Sequence, residues 1–401
     1  MIREVTPTGN NVIADWKGEI KVKGDKIAEA TIKLSRGGDG SYLATLVDTK
    51  DPSREVTYPV SRTHGAGWIR VQVYHTKIGE RYYVLPISWD VSSAEFESTW
   101  MMIDAWYDED GSLKQPSPDM SFDMGCAGCH YTGMEMIKEG DGYTATSTEI
   151  SVGCEKCHGP GSEHVNSPEA EGNIFNPRNM DYDRGMDVCN QCHMTAYRSV
   201  PNGLFRWPWN DEENKPYSIG ESREDYQQAG RPGEPSPQDT GARTPLDTYH
   251  SLSKSRHYEA QTTCFDCHNP HGGPAEFQLA RSDANNNLCL FCHSKEKEFA
   301  SPDAIMQHTK HSYAPGLSGA SRCTGCHYVG SRRQRMPADL PRLGRAAGFL
   351  GVVTPRQSLE MFKNDSELEY TNSCNRCHRD WGGDEAGYMK GVEAYETKFG
   401  L

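Results

Sequence analysis

The chain has 401 residues, which is enough for two domains of ordinary size. Hydrophobic residues make up only 35% of it, and 39 Gly and 23 Pro further limit the side chains that could fill an ordinary core. The formal net charge of −14 disfavours nucleic acid as a partner. No stretch approaches the roughly 18–20 consecutive apolar residues of a membrane span, so we expect none.

Residues 1–110 contain no cysteine and are predicted to form a small β domain, either a sandwich or a partial barrel. Apolar residues alternate with lysines over 20–23, and the alternation resumes over 31–34. A hairpin is predicted over residues 68–85, where two β-prone runs flank a turn at 77–80. The N-terminal quarter of the chain therefore has the pattern of an antiparallel β structure.

The rest of the chain, residues 111–401, repeats one short motif seven times: two cysteines separated by two residues and followed directly by a histidine. The seven copies use all fourteen cysteines. The motif cysteines are Cys126, Cys129, Cys154, Cys157, Cys189, Cys192, Cys264, Cys267, Cys289, Cys292, Cys323, Cys326, Cys374 and Cys377. The motif histidines are His130, His158, His193, His268, His293, His327 and His378.

This motif is typical of covalent haem c attachment. The two sulfurs form thioethers to the porphyrin, and the adjacent histidine becomes the proximal ligand of the iron. A zinc site would not place a histidine after the second cysteine in every copy, and a disulfide framework would have variable spacing. A thioredoxin-like centre would show a single pair beside a βαβ pattern. The sequence therefore predicts seven covalently attached haems c.

Seven large macrocycles can bury apolar area as core side chains do, so regular secondary structure becomes optional. We predict short helices and loops wrapped around stacked haems over 111–401, with the β domain docked on the haem array. The segment 201–249 is rich in Pro, Gly and charge and is predicted to be a surface connector. Thr354 followed by Pro355 predicts the start of a helix.

Eight further histidines remain as candidates for the seven distal positions, so one is spare. They are His64, His75, His164, His250, His257, His271, His308 and His311. An iron held by two imidazoles has no open site for a substrate and changes little in geometry between its two oxidation states, which suits electron transfer. His164, His257 and His271 are tethered close to motifs, but the sequence does not say which haem each would serve.

Three segments carry a resemblance to the extracytoplasmic multihaem c-type cytochromes. They are residues 152–164 (VGCEKCHGPGSEH), 264–271 (CFDCHNPH) and 372–378 (NSCNRCH). The similarity covers most of 120–380 and, more loosely, 62–68 with 83–86. It implies a soluble electron carrier or a cytochrome associated with a reductase. The size and the supply of histidines are also similar to those of surface cytochromes that polymerise into conductive filaments, where a histidine of one subunit can bind a haem of the next.

These observations predict an electron-transfer protein and not an enzyme, with redox proteins or extracellular electron acceptors as partners and a homo-oligomer or filament as its assembly. The alternative is a periplasmic reductase of nitrite, hydroxylamine or a sulfur oxyanion, which would need one haem with an open distal position. Because haem is attached to this motif outside the cytoplasm, we expect an extracytoplasmic protein, at the cell surface or beyond it in preference to the periplasm. The start of the chain has no signal-peptide pattern, so we expect a processed or truncated form.

Overall fold

A computed structural model describes most of the chain. The described residues are 2–6, 11–23, 29–65, 71–91, 93–98, 100–140, 142–193, 198–200, 203–205, 209–210, 215–226, 248–253, 255–275, 278–314, 319–330, 348–364, 366, 372–375 and 377–401. The chain divides into two compact units, one formed by 1–231 with 340–343 and the other by 232–339 with 344–401. The predicted boundary at residue 110 stays a prediction, and most of the connector predicted over 201–249 lies outside the described residues.

The strands of the described residues pair in antiparallel fashion. They are β1 (Ile2–Glu4), β2 (Gly18–Val22), β3 (Ala30–Arg36), β4 (Tyr42–Val47), β5 (Glu55–Pro59), β6 (Arg62–Gly65), β7 (Val71–Ile78), β8 (Arg81–Asp90), β9 (Glu95–Ser98), β10 (Glu135–Glu139), β11 (Gly142–Thr146), β12 (Arg198–Val200), β13 (Gly203–Phe205), β14 (Trp209–Asn210), β15 (Lys215–Pro216), β16 (Tyr328–Gly330) and β17 (Gly348–Leu350).

The helices of the described residues range from 4 to 15 residues in length. They are α1 (Trp100–Trp106), α2 (Phe122–Gly125), α3 (Ala127–His130), α4 (Glu155–His158), α5 (Ser162–Asn166), α6 (Tyr182–His193), α7 (Thr248–Ser253), α8 (Arg256–Glu259), α9 (Cys264–Cys267), α10 (Asn287–His293), α11 (Pro302–Thr309), α12 (Cys323–His327), α13 (Pro355–Asn364) and α14 (Glu385–Phe399). Helix α13 begins at the predicted proline. Among the described helices, none is both long and apolar enough to cross a bilayer.

A β-sandwich forms the N-terminal part of the first unit. A four-stranded sheet in the order β2-β3-β4-β5 shares one core with a five-stranded sheet in the order β1-β6-β7-β8-β9. Successive side chains of a strand point to opposite faces of the sheet, so alternate residues face this core. Ile32 of β3 is paired with Leu46 of β4, and both are fully buried. Trp106 of α1 closes the core and donates its indole N–H to the Val84 carbonyl at 2.8 Å. Of the two predicted forms, a sandwich or a partial barrel, the two sheets correspond to the sandwich.

The predicted hairpin corresponds to β7 and β8. Ile78 is paired with Arg81, so Gly79 and Glu80 form a two-residue turn between them. Gly79 has a φ of +59°, a conformation that glycine adopts without steric cost. The first residues of the hairpin, 68–70, lie outside the described residues.

The other face of the five-stranded sheet carries the first motif. Phe122, Ala127 and Tyr131 of the α2–α3 region pack with Val84 of β8 in a second apolar cluster. The buried Asp123 carboxylate accepts hydrogen bonds from the backbone N–H groups of Tyr82 at 2.9 Å and Ala145 at 3.0 Å, which fixes α2 to β8 and β11. The sheet is therefore the surface that positions His130, the first motif histidine.

Few hydrophobic side chains are buried among the residues of the second unit that the structure describes. Of its described side chains, the buried hydrophobic ones are Ile305, Leu359, Tyr388 and Val392. The last three form a small cluster where α13 packs against α14. Helices α8 to α12, which surround motifs four to six, contribute one of the four, Ile305. The described residues of the second unit therefore do not form the apolar interior that normally stabilises a domain of its size.

We predict that Ile32→Ala lowers the free energy of unfolding of the sandwich by about 2–5 kcal/mol, because it leaves a cavity in the fully buried centre of β3. The matched control is Ile13→Ala, at a side chain that is 48% exposed, which we expect to change stability by less than about 0.5 kcal/mol. Pulse proteolysis in urea measures both variants. Equal effects of the two substitutions would contradict the assignment of the core.

Candidate haem sites

All seven motifs adopt the same turn of helix. In the first, second, fourth and seventh copies, the histidine N–H donates to the carbonyl of the first cysteine at N···O distances of 3.2, 3.0, 2.9 and 3.0 Å. The third, fifth and sixth copies lie within α6, α10 and α12. Residues i, i+3 and i+4 share one face of a helix, so each turn presents two thiols and an imidazole to the same side.

None of the fourteen cysteines forms a disulfide in the structure, so it shows no disulfide framework. None of the fourteen is fully buried, and Cys154, Cys292 and Cys377 are exposed. This is unusual, because a free cysteine with a purely structural role is among the most buried of residues. Pairs of accessible thiols beside an imidazole are the donor set that covalent haem attachment requires.

The structure brings four motif histidines close to a second histidine. The distances between ring centres are 5.3 Å for His64 and His130, 5.9 Å for His257 and His293, 5.9 Å for His308 and His327, and 6.3 Å for His311 and His378. A metal that binds one nitrogen of each ring at about 2 Å separates the ring centres by about 6 Å. The four pairs therefore have the spacing of a bis-imidazole metal site. The sequence predicted His64, His257, His308 and His311 as candidate distal ligands, but it could not show which motif histidine each one would lie beside.

Helix α11 shows how the local sequence places one of these rings. The Ser301 hydroxyl accepts a hydrogen bond from the Ala304 N–H at 3.2 Å, and Pro302 occupies the first helical position. The helix ends where Lys310 adopts a left-handed conformation with a φ of +57°. His308 lies in the last turn, and its ring plane is within 13° of that of His327.

Several of the imidazoles are oriented through Nδ1. His158 Nδ1 lies 2.7 Å from the Phe175 carbonyl, His164 Nδ1 lies 3.2 Å from Asn173 Oδ1, and His311 Nδ1 lies 2.6 Å from the Thr309 carbonyl. His293 Nδ1 contacts the Glu296 carboxylate. Such contacts fix the tautomer of a metal-binding histidine and reserve Nε2 for the metal.

The imidazoles around the first motif are held neutral. Burial lowers the pKa of His75 to about 3 and that of His130 to about 4. Burial also lowers the pKa of His64, and the neighbouring His75 lowers it further. Metal ligation requires the neutral form of the ring, so this environment suits an iron ligand.

The remaining predicted ligands are distributed over both units. His164 lies on α5, six residues after His158, and His271 follows His268 by three residues. His250 lies on α7, and its side chain is outside the part of the chain that the structure describes. His193 ends α6. The ring contacts above do not assign distal partners to His158, His193 and His268.

In the first unit, the variable residues inside the motifs connect one motif to another. Lys156 lies within the second motif, is buried, and donates its ammonium group to the carbonyl of Gly128 in the first motif at 2.6 Å. Gln191 of the third motif donates its amide to the Lys156 carbonyl at 2.9 Å. The first three motifs are therefore neighbours. The only sequence signal for this was a lysine and a glutamine in positions that haem attachment leaves unconstrained.

In the second unit, polar side chains next to the motifs have the same role. The buried Asn286, just before the fifth motif, accepts the Cys323 N–H at 2.9 Å and donates to the Ser321 carbonyl at 2.7 Å. Ser373, just before the seventh motif, donates its hydroxyl to the Cys326 carbonyl at 2.8 Å. These bonds place the fifth motif beside the sixth, and the sixth motif beside the seventh.

A cavity of about 460 Å³ lies beside the fifth motif. Its walls include Arg281 and Phe291, with the guanidinium 3.4 Å from the centre of the aromatic ring. Phe291 is 64% exposed although it belongs to the motif itself. The volume falls within the range of about 300–1,000 Å³ that is usual for cofactor sites. An apolar macrocycle beside α10 would cover this side chain.

Two family models match parts of the chain: "Cytochrome c554 and c-prime" matches residues 91–159, and "Doubled CXXCH motif" matches residues 257–298. The crystal structure of the "Outer Cell Wall Cytochrome OcwA" is similar in fold, with a TM-score of 0.53 and 20% identity over 84% of this chain and 75% of that one. These matches and the seven attachment motifs together support a multihaem c-type cytochrome. Its accessible thiol pairs, neutral imidazoles and ring spacings fit haem c.

The third motif of the cytochrome is fixed by a buried ion pair. Asp187 of α6 accepts the Arg223 backbone N–H at 2.9 Å and its Nε–H at 3.2 Å, and the two side chains are 10% and 8% exposed. Burial raises the pKa of Asp187, whereas the bonds from Arg223 lower it. The carboxylate therefore depends on this arginine to stay ionised.

We predict that Arg223→Met lowers the free energy of unfolding of the first unit by about 3–5 kcal/mol at pH 7, because it leaves the buried carboxylate without its partner. In the variant the pKa of Asp187 rises further, so the loss should shrink as the pH is lowered and the carboxyl group takes up a proton. Urea unfolding at pH 7 and at pH 5 measures the effect.

The control is Arg184→Met, the same substitution in an ion pair with Asp181 whose side chains are 51% and 64% exposed. We expect it to cost no more than about 1 kcal/mol and to show little dependence on pH. If the two variants behave alike, the buried pair does not anchor the third motif.

Proposed function

We propose that this cytochrome transfers electrons through seven c-type haems, each bound by two histidines, and that it works outside the cytoplasm. The observation that carries the proposal is the set of four histidine pairs with ring centres 5.3–6.3 Å apart. Each pair joins a motif histidine to a histidine that the sequence offered as a distal ligand. Two imidazoles would occupy both axial positions and leave no position for a substrate.

The residues of the chain would bind and orient the cofactor. In each motif the two cysteine sulfurs would hold the porphyrin and the histidine Nε2 would bind the iron, while the Nδ1 contacts of His158, His293 and His311 would keep the rings in place. Haem c supplies an iron that accepts and releases one electron. Four of the eight candidates, His75, His164, His250 and His271, remain for the distal positions opposite His158, His193 and His268, so one of the four is the spare.

The connections between motifs support a continuous route for electrons within each unit. The Lys156 and Gln191 bonds hold motifs one to three together, and the Asn286 and Ser373 bonds hold motifs five to seven together. Motif four is joined to the loop before motif five, because the Cys267 carbonyl accepts the Ala280 N–H at 2.9 Å. These bonds would keep neighbouring cofactors at fixed separations, which fast electron exchange requires.

The partners we propose are redox proteins or extracellular electron acceptors. The similarity in fold to an outer cell wall cytochrome supports a location beyond the cytoplasm. The reductase alternative would need an iron without its distal histidine, and the four histidine pairs do not favour it. Self-assembly into a filament stays a prediction from the resemblance, and electron microscopy of the purified holoprotein tests it.

Low-temperature EPR of the fully oxidised holoprotein, with spins integrated, tests the ligand set. We expect seven low-spin haems and no high-spin signal. A high-spin signal that amounts to one haem in seven and changes with cyanide or nitrite would indicate an open site and would favour the reductase.

A variant links this measurement to one pair of rings. We predict that His308→Ala converts one haem in seven from low-spin to high-spin, because His327 would then lack its partner at 5.9 Å. The control is Gln307→Ala, a neighbouring exposed position on α11, which should leave all seven low-spin. A fully low-spin His308→Ala protein would remove His308 from the ligand set.

A further inference from the structure

Two histidines of the β-sandwich face the first motif together. His64 on β6 is paired with Val73 of β7, and His75 is paired with Arg62, so the two are diagonal neighbours on one face of the sheet. His64 Nδ1 lies 2.5 Å from His75 Nε2. One iron has a single distal position, so these two rings cannot both occupy that of the first haem.

The distances between the rings show which of the two histidines is the better candidate for the distal ligand. The His64 ring is 5.3 Å from that of His130, whereas His75 meets His64 edge-on at 4.8 Å and is packed against Phe122 at 4.7 Å. His75 is completely buried within the sheet, and its Nε2 is already used by the contact with His64. His64 therefore has the spacing of a distal ligand, and His75 is the neighbour that contacts the His64 ring.

The tautomers of the two rings are coupled. If His64 binds iron through Nε2, its proton must be on Nδ1, and Nδ1 must then donate to His75 Nε2. His75 in turn carries its own proton on Nδ1, an atom that has no hydrogen-bond partner among the residues that the structure describes. The burial of that N–H costs free energy, and the hydrogen bond to a ligating His64 offsets it.

We propose that His75 is a positioning residue: it binds no iron but accepts the Nδ1–H of His64 and thereby holds His64 Nε2 toward the iron of the first haem. This inference rests on the proposed bis-histidine ligation. A histidine that donates a hydrogen bond from Nδ1 is a stronger electron donor to its metal. The contact therefore stabilises the oxidised iron and lowers the potential of one haem. It also identifies the spare member among the eight distal candidates.

The test compares His75→Phe, His75→Gln and His64→Phe in the holoprotein by EPR spin counting and by redox titration. His75→Phe should keep seven low-spin haems and make one of them about tenfold easier to reduce, or roughly 59 mV for one electron. His75→Gln offers an amide oxygen to His64 Nδ1 and should restore most of the original potential. His64→Phe should give one high-spin haem.

A high-spin haem in either His75 variant would show that His75 is the ligand and would overturn the inference. A titration of His75→Phe that is identical to that of the parent protein would also overturn it, since His75 would then only fill space. Should His75→Phe not fold, the spin count of His75→Gln decides. Seven low-spin haems in His64→Phe as well would instead refute the proposed ligand of the first haem, which is a failure of the proposed function.

Discussion

The covalent attachment turn is the constraint on which the rest of the structure depends. Each copy holds two thiols and an imidazole on one helical face, so a few residues of backbone would set the position of each attached macrocycle. In the second unit, four buried hydrophobic side chains are found among those that the structure describes. We infer that the haems supply the missing apolar interior there, so that the cofactors that would carry electrons also stabilise the fold.

The first unit, in contrast, has an apolar interior made of side chains. Its sandwich has an independent core around Ile32, Leu46 and Trp106, and the outer face of one sheet provides rigid positions for His64 and His75. A ligand on a sheet is better fixed than a ligand on a loop, which favours fine control of a single haem. In the second unit, candidate ligands lie on short helices such as α8 and α11, whose positions we would expect to depend on the cofactors once these are bound.

The sequence was most informative where the chemistry is local. The motif spacing predicted haem c, the alternation over 20–23 and 31–34 predicted β2 and β3, and Thr354 with Pro355 predicted the start of α13. The sequence could not show which histidines lie close together in the fold. His64, the neighbour of His130, is 66 residues away along the chain, and His311, the neighbour of His378, is 67 residues away. The bonds from Lys156 and Asn286 were missed for a related reason: a polar residue beside a motif shows its partner only when the chain is folded.

The measurement that most directly tests this account is amide hydrogen exchange of the holoprotein against the same chain produced without haem attachment. We expect slow exchange in β3, β4 and β8 of both forms, because the sandwich has its own core. Helices α10, α11 and α12 should be protected only in the holoprotein. Equal protection of these three helices in the haem-free chain would contradict the claim that the cofactors form the interior of the second unit.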